Sequence, residues 1–457
     1  MKVLMISTNR ESLPDPVAPL GAAYVANALK EAGHEVKFLD LQFAIDLPVA
    51  VKDMVRTFKP KMVGLSIRNI DNVSFPQSVS YIPELVGIVK LLKALGVRLI
   101  VAGGSGFTMM PVEIMQALDI NLGIIGEGEE AMPEIVRRVE YGHAINNMPG
   151  LIYRVKGEFI VNPPKHIEDL DLVEPDRMLL ENHLYMSEGG AGNIQTKRGC
   201  SFNCVYCTYP LVEGRKVRVR SAAKAAAEFE RAVKEFGLKH LFIVDSVFNF
   251  PIEHAKEFCR EVIGRNIDAG WSCYLNPKSV DEELFELMAK AGCKGVEFGT
   301  DSGCDEVLAE LKKSFKVADI IQASDLCRQA GLPFCHSLML GAPGETAETV
   351  TRTLDLMTEL RPNAIIAMLG IRVFPGTAIA KRAVADGVVG EGAVGLKPVF
   401  YFSPKLDMNA VSEILGRYGR EHANFIMPGI QLRMNEKIRQ KLRSYGFTGP
   451  LWEYLRG

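Results

Sequence analysis

The stretch Lys197-Arg198-Gly199-Cys200-Ser201-Phe202-Asn203-Cys204-Val205-Tyr206-Cys207 sets three cysteines at C-x3-C-x2-C spacing directly behind a predicted strand at 193–197. A loop at a strand end can wrap three such thiolates around one cubane cluster. Four irons with three protein ligands leave one iron open. An open iron can chelate a substrate, whereas a fully ligated cluster mainly transfers electrons. The rival reading is a structural zinc site, which normally closes with four ligands. No fourth Cys or His sits at motif distance. None of the nine cysteines precedes Cys200, and an odd count does not suggest a disulfide framework. The other six, at 259, 273, 293, 304, 327 and 335, fall in helix or strand patterns. They read as small buried core residues, with a second cluster as the alternative.

Working outward, strand and helix signals alternate through residues 191–385, with strands expected at 193–197, 241–244, 271–275, 295–299, 334–340 and 364–373. Six βα steps predict a partial (βα)6 barrel, shorter than the eightfold one. Upstream, residues 1–145 show strands at 3–6, 35–39, 62–67, 98–102 and 121–125 with helices between them. That order predicts an α/β, doubly wound parallel sheet of the flavodoxin/Rossmann-like kind, with its ligand at the carboxyl ends of the strands. Residues 146–190 carry Pro149, Pro163, Pro164 and Pro175 and read as a linker with a small hairpin. Glycines 387, 390, 392 and 395 open a mostly helical C-terminal region, 386–457, expected to cap the barrel.

Apolar residues make up 47% and charged residues 24%, as in an ordinary folded protein. A net charge of −2 points to neither nucleic acid nor an anionic membrane surface. No run reaches the roughly 18 apolar residues of a membrane span. The N-terminal apolar run 3–6 is too short for a signal segment, so a cytoplasmic protein is expected.

The cysteine spacing, with Tyr206 just before the third cysteine and a strand before the first, resembles the radical S-adenosylmethionine (SAM) superfamily. The resemblance implies a 4Fe–4S cluster on Cys200, Cys204 and Cys207 whose unique iron binds the amino and carboxylate groups of SAM. It also implies that the segment Gly295-Val296-Glu297-Phe298-Gly299-Thr300-Asp301-Ser302-Gly303 meets the ribose and methionine parts, through Glu297, Thr300, Asp301 and Ser302. Gly341, Gly344 and Glu345, at the fifth strand end, would pack the adenine, and Ile371-Arg372-Val373-Phe374-Pro375-Gly376-Thr377 ends the sixth.

The upstream domain could hold a nucleotide, a flavin or a corrin. Its first turn, Ser7-Thr8-Asn9-Arg10, lacks the glycines of a dinucleotide fingerprint, which disfavours NAD. Ser66-Ile67-Arg68-Asn69-Ile70-Asp71-Asn72, Gly103-Gly104-Ser105-Gly106 and Gly126-Glu127-Gly128-Glu129 instead resemble the cobalamin-binding half of cobalamin-dependent radical SAM proteins. The resemblance places Ser66, Arg68, Asn69, Gly103, Gly104, Ser105, Gly126, Glu127 and Gly128 at the corrin. One departure concerns the Asp-x-His-x-x-Gly loop of many cobalamin domains. His34 and His143 are the only histidines before residue 150, and neither has the flanking residues. The cobalt would then lack a protein histidine, which favours accepting and surrendering a methyl group. Arg68 is the expected neighbour of that face, with binding of corrin amides or of neighbours of the third strand as the alternative.

The activity implied is C-methylation, with a methyl moving from SAM through methylcobalamin to a carbon of a small-molecule or peptide substrate. An external donor such as flavodoxin or ferredoxin would supply electrons. The rivals are non-methylating ring formation or rearrangement, methylation without a free adenosyl radical, and a non-catalytic corrinoid or electron-transfer protein. Methylthiotransferase chemistry would need a second cluster, usually from three N-terminal cysteines, which are lacking. Asp245 and Arg372 are expected at the barrel mouth, with structural ion pairing as the alternative. Arg215, Lys216, Arg218 and Arg220 read as a solvated edge strand or as a clamp on carboxylates. The basic tail from 431 reads as a solvated helix face or a docking element.

Overall fold

The computed structural model describes residues 1–427 and 436–455. Strands β1 (Lys2–Ser7), β2 (Glu35–Asp40), β3 (Met62–Ser66), β4 (Ile100–Gly103) and β5 (Leu122–Ile124) form a parallel sheet in the order 2-1-3-4-5. Val3, Leu4, Met5 and Ile6 are all buried, because helices cover both faces of the sheet. The expected hairpin forms as β6 (Leu151–Val155) and β7 (Glu158–Val161). It is no free linker: β6 pairs antiparallel with β5 and extends the sheet to seven strands.

The second sheet also has seven strands, all parallel and in chain order. It opens with β8 (Gly192–Ile194), after which β9 (Lys197–Arg198) and β10 (Arg218–Val219) make a separate antiparallel ribbon. It continues through β11 (His240–Ile243), β12 (Gly270–Leu275), β13 (Cys293–Asp301), β14 (Phe334–Leu340) and β15 (Ala364–Leu369). The expected sixth strand breaks at Gly370. Its remainder, β16 (Ile371–Arg372), pairs with β17 (Phe400–Tyr401). The last strand, β18 (Phe425–Ile426), comes from the region read as mostly helical and joins β15 as a seventh parallel strand.

Helices clad the barrel through ordinary amphipathic spacing. Helix Ala222–Phe236 buries Ala222, Ala225, Ala226, Phe229 and Ala232. Its Ser221 N-cap accepts from the Lys224 N–H, and Gly237 ends it at φ +64°. Trp271 is fully buried and donates its indole N–H to the Ala291 carbonyl at 2.8 Å. No helix among the described residues is long and apolar enough to cross a membrane.

The basic tail corrects another expectation. In helix Glu436–Ser444, Arg439 and Arg443 are buried, and the Arg443 guanidinium pairs with Asp15 at 3.0 Å. The chain then closes the lower end of the barrel. Trp452 packs on Cys335 and Ala364, and Asn363 donates to the Leu455 carbonyl at 2.8 Å. Residues 428–435 of that tail lie outside the described residues.

Glu453 sits inside this seal. It accepts from the Ser272 hydroxyl, and His240 Nε2 lies 3.9 Å away. Burial pushes its carboxyl up to about 8, against partial relief from Ser272, Arg443 and Lys294. Burial also holds His240 neutral, at about 3. A carboxyl raised in the folded state keeps its proton there while the unfolded chain loses its own near 4.5. Its contribution is full below that point and falls as pH climbs toward 8. Glu453→Gln should therefore match the wild type near pH 5 and exceed its stability at pH 8 by on the order of 2–4 kcal/mol. Urea titrations at the two pH values check this; equal slopes with pH would refute it.

Candidate active site between the two sheets

The carboxyl ends of the two sheets face each other across a cavity of about 640 Å³. On the first sheet it sits where strand order reverses between β1 and β3, the place such sheets bind ligands. Ser66, Arg68, Asn69, Gly103, Gly104, Ser105, Gly126, Glu127 and Gly128 all reach its wall. The backbone explains the glycines. Gly104 has φ +99°, and a Cβ there would stand 2.7 Å from the Ile67 carbonyl. Arg68 is exposed toward the cavity and donates only a 3.4 Å hydrogen bond to Asn69, with no ion pair among the described residues. Among the described residues, no histidine lines the cavity. His34 instead bonds the Met1 amino group at 3.3 Å, and His143 follows the end of helix Ala131–Tyr141.

Glu127 reaches the wall but is already engaged. It receives both Arg218 nitrogens at 2.9 and 2.7 Å and the Ile167 N–H at 2.6 Å. Burial works to raise its carboxyl, yet Arg218 and Arg198 outweigh burial and leave it below the ordinary range. Arg198 also pairs with Glu129 at 2.6 Å. The basic cluster after the cysteine loop thus splits. Arg215 and Lys216 are exposed, bonding Asn203 and Glu168, while Arg218 and Arg220 are buried clamps on Glu127 and Glu228.

The cysteine loop is set by its backbone. Gly199 has φ +91°, and a Cβ there would meet the Lys216 carbonyl at 2.1 Å. The Cys200 N–H donates to Gly214 O and the Val205 N–H to Leu311 O, both at 3.1 Å. Gly199→Ala should therefore cost about 2 kcal/mol through the forced φ and the overlap, and lower iron content in step. Reconstituted iron per chain and urea midpoint measure it; wild-type values for both would refute it.

All three cysteines are free; Cys200 is buried and the other two are half-buried. Burial, then the neighbouring thiols, pushes Cys207 up to about 12. Holding three thiolates so close requires metal charge beside them. The thiols do not converge as ligands of one ion would, and in a cubane they need not, since each binds its own iron. Lys313, which no sequence signal singled out, stands beside them. Its ammonium lies 2.9 Å from Asp301 and 5.9 Å from the Tyr206 ring centre. The Tyr206 hydroxyl donates to Asp301 at 2.6 Å.

Several expected site residues point elsewhere. Thr300 bonds His336 at 2.7 Å and Ser302 bonds Thr353 at 3.2 Å, all fully or nearly buried in the outer packing. Glu345 is turned under its own loop, accepting from the Gly341 and Ala342 N–H groups. That places Gly341 (φ +106°) and Gly344 (φ +79°) in the turn it shapes. Burial pushes Glu345 up to about 7. Asp245 does not face the mouth; it is 1% exposed and accepts from the Thr196 and Lys197 N–H groups. Arg372 is likewise buried, bonding Asp71 at 3.0 Å and the carbonyls of Val373 and Gly395. Both follow the structural alternative because each finds an opposite charge in the packing around it. Sequence reading missed three cavity residues, Gln195, Tyr209 and Glu213. Burial pushes Glu213 up to about 7 while the Gly199 N–H holds it at 3.0 Å.

A corrin-sized cleft facing a barrel that carries a three-cysteine loop defines a class, a cobalamin-type domain joined to a radical SAM barrel. Family models agree: "B12 binding domain" matches residues 6–136 and "Radical SAM superfamily" residues 194–357. Tryptophan 2-C-methyltransferase of Streptomyces laurentii is 28% identical, over 83% of this chain and 74% of that protein. An uncharacterized methyltransferase of Pyrococcus horikoshii is 27% identical, over 85% of this chain and 84% of that one. The structure of the radical SAM methyltransferase TsrM of Kitasatospora setae, with tryptophan and a SAM analogue bound, superposes with a TM-score of 0.88. It is 25% identical and covers 99% of this chain and 96% of that one. The chain belongs to the cobalamin-dependent radical SAM proteins, and it is an enzyme.

Proposed function

We propose that this enzyme is a C-methyltransferase acting on a carbon of a small-molecule or peptide substrate, with a 4Fe–4S cluster, SAM and cobalamin as cofactors. When bound, the corrin carries the methyl group and the cluster supplies electrons to SAM. The observation that carries the reading is the cavity at the carboxyl ends of the first sheet, closed on its far side by Arg198, Thr208, Tyr209, Val212 and Glu213, which flank the cysteine loop. Cys200, Cys204 and Cys207 would hold the cluster, and Asp301 and Lys313 would border its open iron. Arg68, which has no ion pair among the described residues, would stand nearest the lower face of the cobalt. The Gly103-Gly104 turn brings backbone close to the ring. The buried Arg–Glu clamps hold the two walls together and keep water out of the seam. An external flavodoxin- or ferredoxin-type donor would reduce the cluster.

The test is anaerobic reconstitution with iron, sulfide and hydroxocobalamin, then SAM and a reductant, with spectra before and after desalting. About one corrin retained per chain, with the Co-methyl spectrum appearing on addition of SAM, is expected. An iron–sulfur spectrum without retained corrin would remove methyl transfer through cobalt.

A further inference from the structure

The inner face of the barrel carries a carboxylate for which the protein supplies no cation. Val296 and Phe298 are fully buried among the outer helices, so the alternation of β13 turns Glu297 into the lumen. Its one hydrogen bond comes from the Ser337 hydroxyl at 2.6 Å, and it makes no ion pair among the described residues. Tyr274 lies beside it in register on β12 and keeps 38% of its surface free. Phe242 packs edge-on against Tyr274, with centroids 4.9 Å apart at 62°. Neither Tyr274 nor Glu297 is among the residues that line the cavity already described.

Glu297 is not placed like the residues at the strand end. Asp301 is satisfied by Tyr206 and Lys313. Glu297 comes four residues earlier, roughly 13 Å further down the strand. Burial raises the Glu297 carboxyl, so with no cation beside it the group holds its proton, and a ligand that brings a positive charge favours the ionised form. Two aromatic rings beside it supply a flat apolar wall and a further attraction for a cation.

We propose that Glu297 binds a protonated amine of the substrate against the wall formed by Tyr274 and Phe242, so that the enzyme selects aromatic amines. This rests on the methyltransferase reading for the presence of a substrate in the lumen. The specificity then has two parts, the carboxylate choosing the charge and the rings choosing a planar scaffold.

Calorimetric titration of the reconstituted holoenzyme with phenethylamine and tryptamine, against 3-phenylpropionate and indole-3-propionate, tests it. The amines should bind about tenfold or more tightly than the matching acids. Glu297→Gln should erase that preference with iron and corrin content unchanged, and Glu297→Asp should keep it at weaker affinity. Amines that bind no better than the acids, or equally well to Glu297→Gln, overturn the proposal. So does a Glu297→Gln protein that loses SAM but still binds amine, because the carboxylate then belongs to the cofactor. SAM-dependent methylation of the corrin needs no amine. Failure of the parent reading therefore shows in that spectrum, and failure of this one only in the amine titration.

Discussion

Replacing Cys204 with alanine should remove the iron–sulfur absorption band and bring SAM cleavage to background, while the protein should still fold and still retain corrin. The loop around it is held by backbone hydrogen bonds to Gly214 and Leu311, not by the thiol. The wall of the cavity is built from residues of the first sheet and from Gln195, Tyr209 and Glu213, and the three cysteines are not among its lining residues. Two cysteines cannot hold a cubane with one open iron, so the effect is all or none. Iron and sulfide per chain, the visible spectrum and 5′-deoxyadenosine release check it in one preparation. A variant with a full complement of iron would show that the motif is not the cluster site. Loss of corrin together with iron would show that the two walls are not independent.

Arg372→Ala should destabilise the protein by about 3–5 kcal/mol, because it strands a buried carboxylate. Arg372 and Asp71 are at most 1% exposed in their side chains and meet across the seam between the two sheets. Asp71 also anchors the loop that begins at Arg68, accepting from the Val73 N–H at 2.9 Å. The same variant should therefore loosen corrin retention. Arg372→Met combined with Asp71→Leu should recover most of the stability, since the cost lies in the unpaired charge and not in the missing attraction. Urea unfolding of the single and double variants measures the coupling. A single variant within about 0.5 kcal/mol of the wild type would fall in the range of an ordinary surface substitution. It would mean that Asp71 finds another partner.

What the sequence made legible follows from how local each signal is. The parallel strands are runs of buried apolar residues between helices of regular spacing, so eleven of them could be placed without a partner in view. The cysteine loop was legible because three ligands within eight residues carry their own chemistry. Strand β18 is two residues long and has no period to detect. The ribbon of β9 and β10 is likewise too short to read. The ionic clamps were invisible for a different reason. Arg372 and Asp71 are 301 positions apart, and an arginine at a strand end looks the same whether it faces a ligand or a carboxylate. Thr300 and Ser302 turn into the outer packing, where the bulge in β13 between Gly299 and Asp301 alters which side chains face outward, and a bulge leaves no local signal in the sequence.

The seal at the foot of the barrel has a consequence for synthesis. Gly449 to Leu455 leave the ribosome after every strand whose lower ends they cover. Until then the nascent barrel is open beneath, with Ser272 and Ala364 bare and the pocket for Trp452 empty. Arg443, which ties the same stretch to Asp15, arrives just before it, so the N-terminal domain must wait for its last contact. The pairing of Arg443 with Asp15 is therefore a late event in biogenesis. A translation product halted before Pro450 would hold a complete set of catalytic strands with an unsealed core, a form that cellular proteases can recognise.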